Sequence, residues 1–510
     1  MMEASSPQQP LLAELAGSLQ TIKSAFGGST DIVIKEIPIG SGGGMQAGII
    51  YTDGLADTAG ILEALMLEVR EAGFDPDRAA GKSPLAILKD FIIAVGDVRE
   101  IADYDTLYTA VLSGDTVILL NGFAQGLAAS KRQWKDRGVT EPSAQTVVRG
   151  PKEGFSESLR TNTALVRRRI KDPRLWLETL PIGRVTKTDV AIMYIKGIVN
   201  EDVLREVRTR LGRIDIDGIL ESGYVEELIQ DSTLTPFPTV YNTERPDAVA
   251  ADLLEGKVAI LVDGTPFALT VPALFIQFFQ ASEDYYQRWD FATLLRILRF
   301  ISLFIALLAP SLYIAITTFH QELLPTPLLI GLAAQREGIP FPAFIEAVMM
   351  ELTFEILREA GVRMPRAIGQ SVSIVGTLVI GQAAVEAGLV SPAMVIVVAI
   401  TAISNFVIPA FNMGISVRII RFALMGLAAT FGLFGVTVGL VALVLHLCSL
   451  RSFGVPYMAP FAPFILQDQK DSILRLPQWV LFSRPRLISQ NNMIREQNRA
   501  PANSTSKKGR

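Results

Sequence analysis

FATLLRILRFISLFIALLAPSLYIAITTF, residues 291–319, decides what kind of protein this is. The run is almost entirely apolar and long enough to cross about 30 Å of hydrocarbon as a helix. Three more strongly apolar stretches follow, near 367–387, 392–411 and 422–447. Burial in a soluble core does not account for four such runs in succession. Just upstream, Asp284-Tyr285-Tyr286-Gln287-Arg288-Trp289 has the aromatic and basic character of a membrane interface.

The bulk numbers agree. Of 510 residues, 49% are apolar and only 19% charged, against about a quarter in soluble domains. Most of the charge lies before Asp290, which implies a soluble front joined to a membrane-embedded back. A net charge of -4 is too weak to imply a nucleic-acid partner. The start, MMEASSPQQPLLAELAG, lacks a basic region leading into an apolar core, so no signal peptide is read there.

Orientation follows the arginines. Arg288, Arg296 and Arg299 open the first span, and HQELLPTPLL beyond it has no Lys or Arg, which places the N-terminal domain in the cytoplasm. The next basic cluster is Arg358, Arg363 and Arg366. Returning it to the cytoplasm requires a fifth passage, through a Glu-bearing helix near 341–357. Five passages then leave the basic tail outside, whereas four bring it inside and expose the Arg358 cluster. Both counts stay open, as does a re-entrant or interfacial placement of the glutamate helix.

That helix reads FPAFIEAVMMELTFEILREAGVRMPR, residues 341–366. Glu351, Glu355 and Glu359 stand four apart and share a face, while Glu346 points about 140° away from Glu351. Ionised carboxylates facing lipid cost several kcal/mol, so these four are candidates for an ion path or for basic partners. Repeated around an oligomer, such a stripe would attract cations. In the last span, Gly435 and Gly439 form a G-x-x-x-G that permits close helix contact.

The front half holds two similar strand–turn–helix units. AGIIYTDGLADTAGILEALMLEV (47–69) and VAIMYIKGIVNEDVLREVRTRL (190–211) are each followed by a second strand, DTVILLNGF (115–123) and KVAILVDGTPF (257–267). Tyr51 to Ile118 spans 67 positions and Tyr194 to Ile260 spans 66, which supports an internal duplication. Between the copies, Ser156 starts a helix whose end carries Arg167, Arg168 and Arg169. This basic connector suits a lipid headgroup, an acidic neighbour or a solvated helix end.

No active site emerges. Gly81-Lys82-Ser83 lacks the earlier P-loop glycine, since position 76 is Pro. GSGGGMQAG (40–48) precedes a strand rather than a helix, and Ser222 has no histidine in the front half to activate it. Cys448 is the single cysteine and His320 and His446 the only histidines. No disulfide framework, metal site, cofactor or enzyme activity is expected.

The expected fold class is a duplicated α/β soluble region followed by an all-α polytopic transmembrane bundle. Its parts are a disordered N-terminus (1–28), a first α/β subdomain (29–145), a helical connector (146–180) and a second α/β subdomain (181–285). A transmembrane domain (286–450) and a C-terminal tail (451–510) complete the chain.

Residues from about 31 to about 486 resemble the A subunit of GerA-type spore germination receptors. The resemblance is carried by VRGPKEGFSESLRTNTALVRRRIKDPRL (148–175), PFPTVYNTERPD (236–247), LLEGKVAILVDGTPFALTVPALFIQFFQASEDYY (253–286) and GVPYMAPFAP (454–463). It implies nutrient sensing by dormant spores, at the spore inner membrane. It also implies a polytopic B subunit and a lipoprotein C subunit as partners, and a homo-oligomer that conducts cations when germinant binds. An accessory paralogue acting with dipicolinate-channel proteins shares the resemblance, although YTDGLAD (51–57) is closer to the nutrient-receptor branch. A non-conducting scaffold is the competing reading. Secondary transport would favour an inverted repeat of broken helices, which the back half does not show.

Overall fold

The computed structural model describes residues 9–39, 45–58, 85, 88–89, 97–131, 141–142, 145–363, 381–490 and 492–495. The chain divides into an α/β unit (1–230, 240–272, 483–495) and a helical unit (231–239, 273–482, 496–510).

The α/β unit begins with α1 (Leu15–Ala25), which the sequence reading assigned to a disordered N-terminus. Leu15, Leu19, Ile22 and Phe26 recur at helical spacing and are buried against Ile50, Leu107 and Val117. The intervening Gly, Ser, Gln and Lys residues disguise this stripe. Next come β1 (Ile32–Ile39), β2 (Met45–Thr52), β3 (Asp97–Ile101), α2 (Tyr104–Leu112), β4 (Thr116–Leu120) and β5 (Gly126–Ser130). They form an antiparallel sheet of order β1-β2-β4-β5-β3. The helix expected after Asp53-Gly54 lies outside the described residues.

A second sheet repeats the first. It is led by α3 (Leu159–Arg169) and contains β6 (Leu175–Ile182), β7 (Thr188–Ile195), β8 (Tyr241–Thr243), β9 (Val258–Val262) and β10 (Ala268–Val271). The order is β6-β7-β9-β10-β8, all antiparallel. Register repeats as well, since Ile49 faces Ile118 and Ile192 faces Ile260. The duplication is therefore one of topology, with β4 and β9 as fully buried central strands. Asn200 caps α4 (Glu201–Gly212) as expected, its side chain accepting from the Asp202 N–H at 2.9 Å. After α5 (Ser222–Ile229), helix α6 (Pro246–Glu255) starts on Pro246 and stops at Gly256, whose φ of 96° suits only glycine comfortably.

The connector differs in detail from its expectation. Ser158 rather than Ser156 caps α3, and β6 begins inside the stretch assigned to the connector. Leu165 and Val166 of α3 and its C-cap residue Ile170 enter the second core with Leu175, Met193 and Leu261, so the helix belongs to the second sheet. Part of the expected tail also belongs here: Arg484 Nε donates to the Leu254 carbonyl at 2.7 Å and Ser489 Oγ to the Ile198 carbonyl at 2.8 Å.

In the helical unit, α7 (Glu283–Tyr286) precedes α8 (Trp289–Thr318). It continues with α9 (Thr326–Arg336), α10 (Ala343–Arg363), α11 (Pro392–Phe406) and α12 (Phe411–Ser449). Among the described residues α8 and α12 are long and apolar enough to cross a membrane. Most of the expected 367–387 span lies outside the described residues.

The stretch α12 is not one rod. Gly432 has φ 60° and ψ -142°, a conformation that breaks the helix. A methyl on Gly439 would lie 2.6 Å from Leu424, and one on Gly435 2.3 Å from the Leu427 carbonyl. Residues that far apart along a straight helix cannot touch, so the two arms fold back on each other. The arm ends agree: Ser416 Oγ donates to the Pro236 carbonyl, and His446 Nε2 lies 2.8 Å from Thr235 Oγ1. In a straight helix Ser416 and His446 would be about 45 Å apart. The expected single span at 422–447 is thus a hairpin, with Gly432 at its tip against Phe319 and His320.

Both ends of the helical unit meet. The Ala273 N–H donates to Ser452 Oγ at 2.9 Å and the Phe275 N–H to the Tyr457 carbonyl at 2.8 Å. Ile314 and Ala315 of α8, Ala347 of α10, Met394 and Val398 of α11, and Met425, Ala428 and Val436 of the two hairpin arms share one core.

Candidate functional site

The four glutamates of α10 have four different fates. Glu346 is fully buried near the start of the helix. Its Oε2 accepts from the N–H of Ser391 at 3.0 Å and from Ser391 Oγ at 2.9 Å. Ser391 caps α11, so this carboxylate sits at a helix N-terminus, where the backbone dipole favours negative charge. The Tyr313 hydroxyl joins the same serine at 3.3 Å.

Glu351 pairs with Arg421 on the first arm of α12 at 2.7 Å, and both side chains are only 1% exposed. One turn on, Glu355 meets Arg358 of its own helix and Arg418 at 3.4 Å. Glu351 and Glu355 are four apart on α10, and Arg418 and Arg421 are three apart on α12. The two helices therefore run antiparallel and form a short charge ladder. Glu359 stands outside it, 57% exposed, with Arg363 at 2.7 Å.

The pairing departs from a water-filled stripe. Glu346 and Glu351 find their partners, Ser391 and Arg421, within the same chain, and only the Glu355–Glu359 end of the row reaches the surface. Among the described residues the ladder is incompletely satisfied, since Arg421 Nε and Nη1, Glu351 Oε1 and Glu355 Oε1 have no hydrogen-bond partner there. At membrane depth, unsatisfied groups of this kind would be costly. Sequence reasoning missed Arg418 and Arg421 by starting the last span at 422; their i, i+3 spacing was the available signal.

A second network holds the start of α8. Buried Asp284 Oδ2 accepts from Arg296 Nε at 2.9 Å and Arg299 Nη1 at 2.7 Å. Arg296 Nη1 also donates to Asp471 Oδ1 at 2.8 Å, and the Tyr285 hydroxyl to Asp471 Oδ2 at 2.8 Å. Two of the arginines that set the expected orientation are therefore buried fasteners.

The basic connector also divides. Arg167 is fully buried, with Nε 2.7 Å and Nη2 2.9 Å from the carboxylate of Asp31, so it joins the two halves of the α/β unit. Arg169 and Arg168 share Glu153 at 2.8 and 3.5 Å. These two line a cavity of about 460 Å³ with Lys152, Lys171, Leu112 and Ser113, a hollow with more positive than negative charge. Arg168 and Glu153 are both partly exposed, so Arg168→Ala is expected to change stability by no more than about 1 kcal/mol. The thermal midpoint of the detergent-solubilised protein measures this.

Gly435 and Gly439 do permit close helix approach, but between the arms of one hairpin.

Comparison with known proteins gives a consistent result. The family model described as Bacillus/Clostridium GerA spore germination protein matches residues 20–487. The chain is 50% identical to spore germination protein KA of Bacillus subtilis (strain 168), over 96% of this chain and 90% of that one. It is 38% identical to spore germination protein GerLA of Bacillus cereus, over 96% of this chain and 99% of that one. Among solved structures, the N-terminal domain of the A subunit of the Bacillus megaterium spore germinant receptor GerK3 is 44% identical. That match covers 54% of this chain and all of that one, with a TM-score of 0.43.

Proposed function

The chain belongs to the GerA family of spore germination proteins, and from that premise we propose that it couples nutrient sensing to cation release as an oligomeric, ligand-gated channel subunit. Its partners in this reading are a polytopic B subunit, a lipoprotein C subunit and further copies of itself. Its place is the spore inner membrane, with the N-terminal domain in the cytoplasm.

One observation carries the oligomeric part. Among the described residues helix α9 has no buried side chain, and α10 presents Leu352, Ile356 and Val362 outward beside the charged Glu359. Apolar faces of this kind need cover from lipid or a neighbouring chain, and an assembled ring would gather the charged ends of α10 around its axis. The ion-facing candidates are therefore Glu355 and Glu359, with Glu346 and Glu351 holding helices together.

The hairpin at Gly432 supports a topology. Residues before α8 and after α12 meet at one end, which requires an even number of passages. Counting the hairpin as two turns the five-passage reading into six, and the tail then lies on the same side as the Arg358 cluster. Both basic clusters obey the positive-inside rule in that arrangement.

Glu355→Gln and Glu359→Gln are expected to slow nutrient-triggered potassium release several-fold while receptor abundance stays normal. Unchanged release in both variants removes the ion-path assignment. The intrachain partners of Glu346, Ser391 and Arg336, favour a non-conducting coupling subunit as second reading. It predicts that the full receptor in liposomes passes no potassium with germinant present.

A further inference from the structure

We propose that residues 461–482, which follow the hairpin, form a lipid-binding collar that lays Phe464, Leu466, Leu474 and Trp479 into the headgroup–acyl boundary. The inference rests on α8 crossing the membrane but concerns a segment that crosses nothing.

Depth is the first argument. Arg299 is the last charged residue of α8, and residues 300–318 rise about 28 Å, close to the thickness of a hydrocarbon core. The collar is tied just before that stretch. Thr293 Oγ1 donates to the Arg475 carbonyl at 2.9 Å and accepts from the Arg475 N–H at 3.2 Å, while Arg296 holds Asp471. Thr293 and Arg296 precede Phe300 by about 6–11 Å along the helix, the depth of the polar interfacial layer.

Composition is the second. Phe464 and Leu466 are 70% and 76% exposed, and Ile473, Leu474, Trp479 and Phe482 are exposed as well. Lys470 lies over the Phe482 ring at 4.3 Å, an aromatic–cation pairing suited to a headgroup layer. Such a cluster is costly in water but natural where apolar surface sinks 5–10 Å into the boundary. The irregular backbone fits too, because non-helical chain is tolerated at the interface and excluded from the lipid-exposed hydrocarbon.

Continuity is the third. The exposed Leu294 and Leu298 on the first turns of α8 lead to exposed Ile301 and Phe304 in its uncharged part. The collar therefore borders the surface that α8 offers to lipid, which favours lipid over a second copy of the chain.

The test uses the full-length protein with Cys448→Ser and one introduced cysteine at a time, Leu466→Cys, Leu474→Cys, Phe304→Cys or Val185→Cys, each carrying a nitroxide. Reconstitution is in vesicles of phosphatidylglycerol and phosphatidylethanolamine. The readout is the ratio of collision rates with oxygen, which partitions into lipid, and with a water-soluble nickel chelate. Labels at 466 and 474 are expected several-fold above the label at 185 and below that at 304. A ratio equal to that at 185 overturns the collar, and so does shielding from both reagents, which would mean a protein partner covers it. A water-like ratio at 304 would instead overturn the membrane passage of α8.

Discussion

Gly432→Ala is expected to cost the helical unit a large fraction of its stability. At φ 60° and ψ -142° the residue sits close to a region populated almost only by glycine, where a side chain costs about 1–3 kcal/mol in backbone strain. The added methyl would also lie 2.7 Å from the His320 ring and 3.0 Å from Phe319 Cβ. The ring can rotate, but Phe319 Cβ moves only with its backbone, so overpacking adds about another 1–3 kcal/mol. Against a total of about 5–15 kcal/mol, that is a large fraction. Gly426→Ala is the control. That glycine lies in the first arm with nothing within 4 Å of its added methyl, so the change should be neutral or slightly stabilising. Thermal midpoints of detergent-solubilised protein, read by loss of the monodisperse peak, separate the two. Equal midpoints for both variants would mean that residues 411–449 form one continuous helix.

The same glycine shows where sequence reading stops. An apolar run such as 422–447 announces a helix by composition, but composition cannot say whether the helix continues through a particular glycine. Here that choice is made by tertiary contact, because Leu424 and Leu427 close on Gly439 and Gly435. The duplicated sheets were far more legible, since both copies carry the same strand and turn pattern at matching spacing, and Ile49–Ile118 and Ile192–Ile260 are equivalent pairs in the two sheets. The stripe Leu15, Leu19, Ile22, Phe26 was visible in principle but hidden among small and polar residues. The glutamates lie between these cases. Their four-residue spacing correctly placed Glu351 and Glu355 on one face, whereas their partners, Arg418 and Arg421, lie more than sixty positions away. No local pattern reports such a pairing. Arg167 was lost for a related reason: three consecutive arginines look alike, and only the fold shows that one is buried on Asp31 while its neighbours line a surface hollow.

The Glu351–Arg421 pair gives the second large effect and bears on how ions could pass. Arg421→Met is expected to destabilise the protein by about 3–5 kcal/mol, because it strands a carboxylate that is 1% exposed. Glu351→Leu should cost a similar amount by stranding the guanidinium. The double variant should recover most of the loss, since apolar replacement of a whole buried pair is often neutral or stabilising. A double-mutant cycle on thermal or denaturant midpoints isolates the coupling. Its size also reports on water. If each single change costs well under 1 kcal/mol, solvent reaches the pair and screens it, and Glu351 returns as a candidate for lining an ion path. If the coupling is large, the pair is a dry fastener between α10 and the hairpin. Conduction then has to run past the exposed end of α10, where Glu355 and Glu359 reach the surface. Measuring potassium release in a stable double variant completes the argument: retained release leaves the pair a structural role alone, while its loss from a folded receptor shows that the pair takes part in opening.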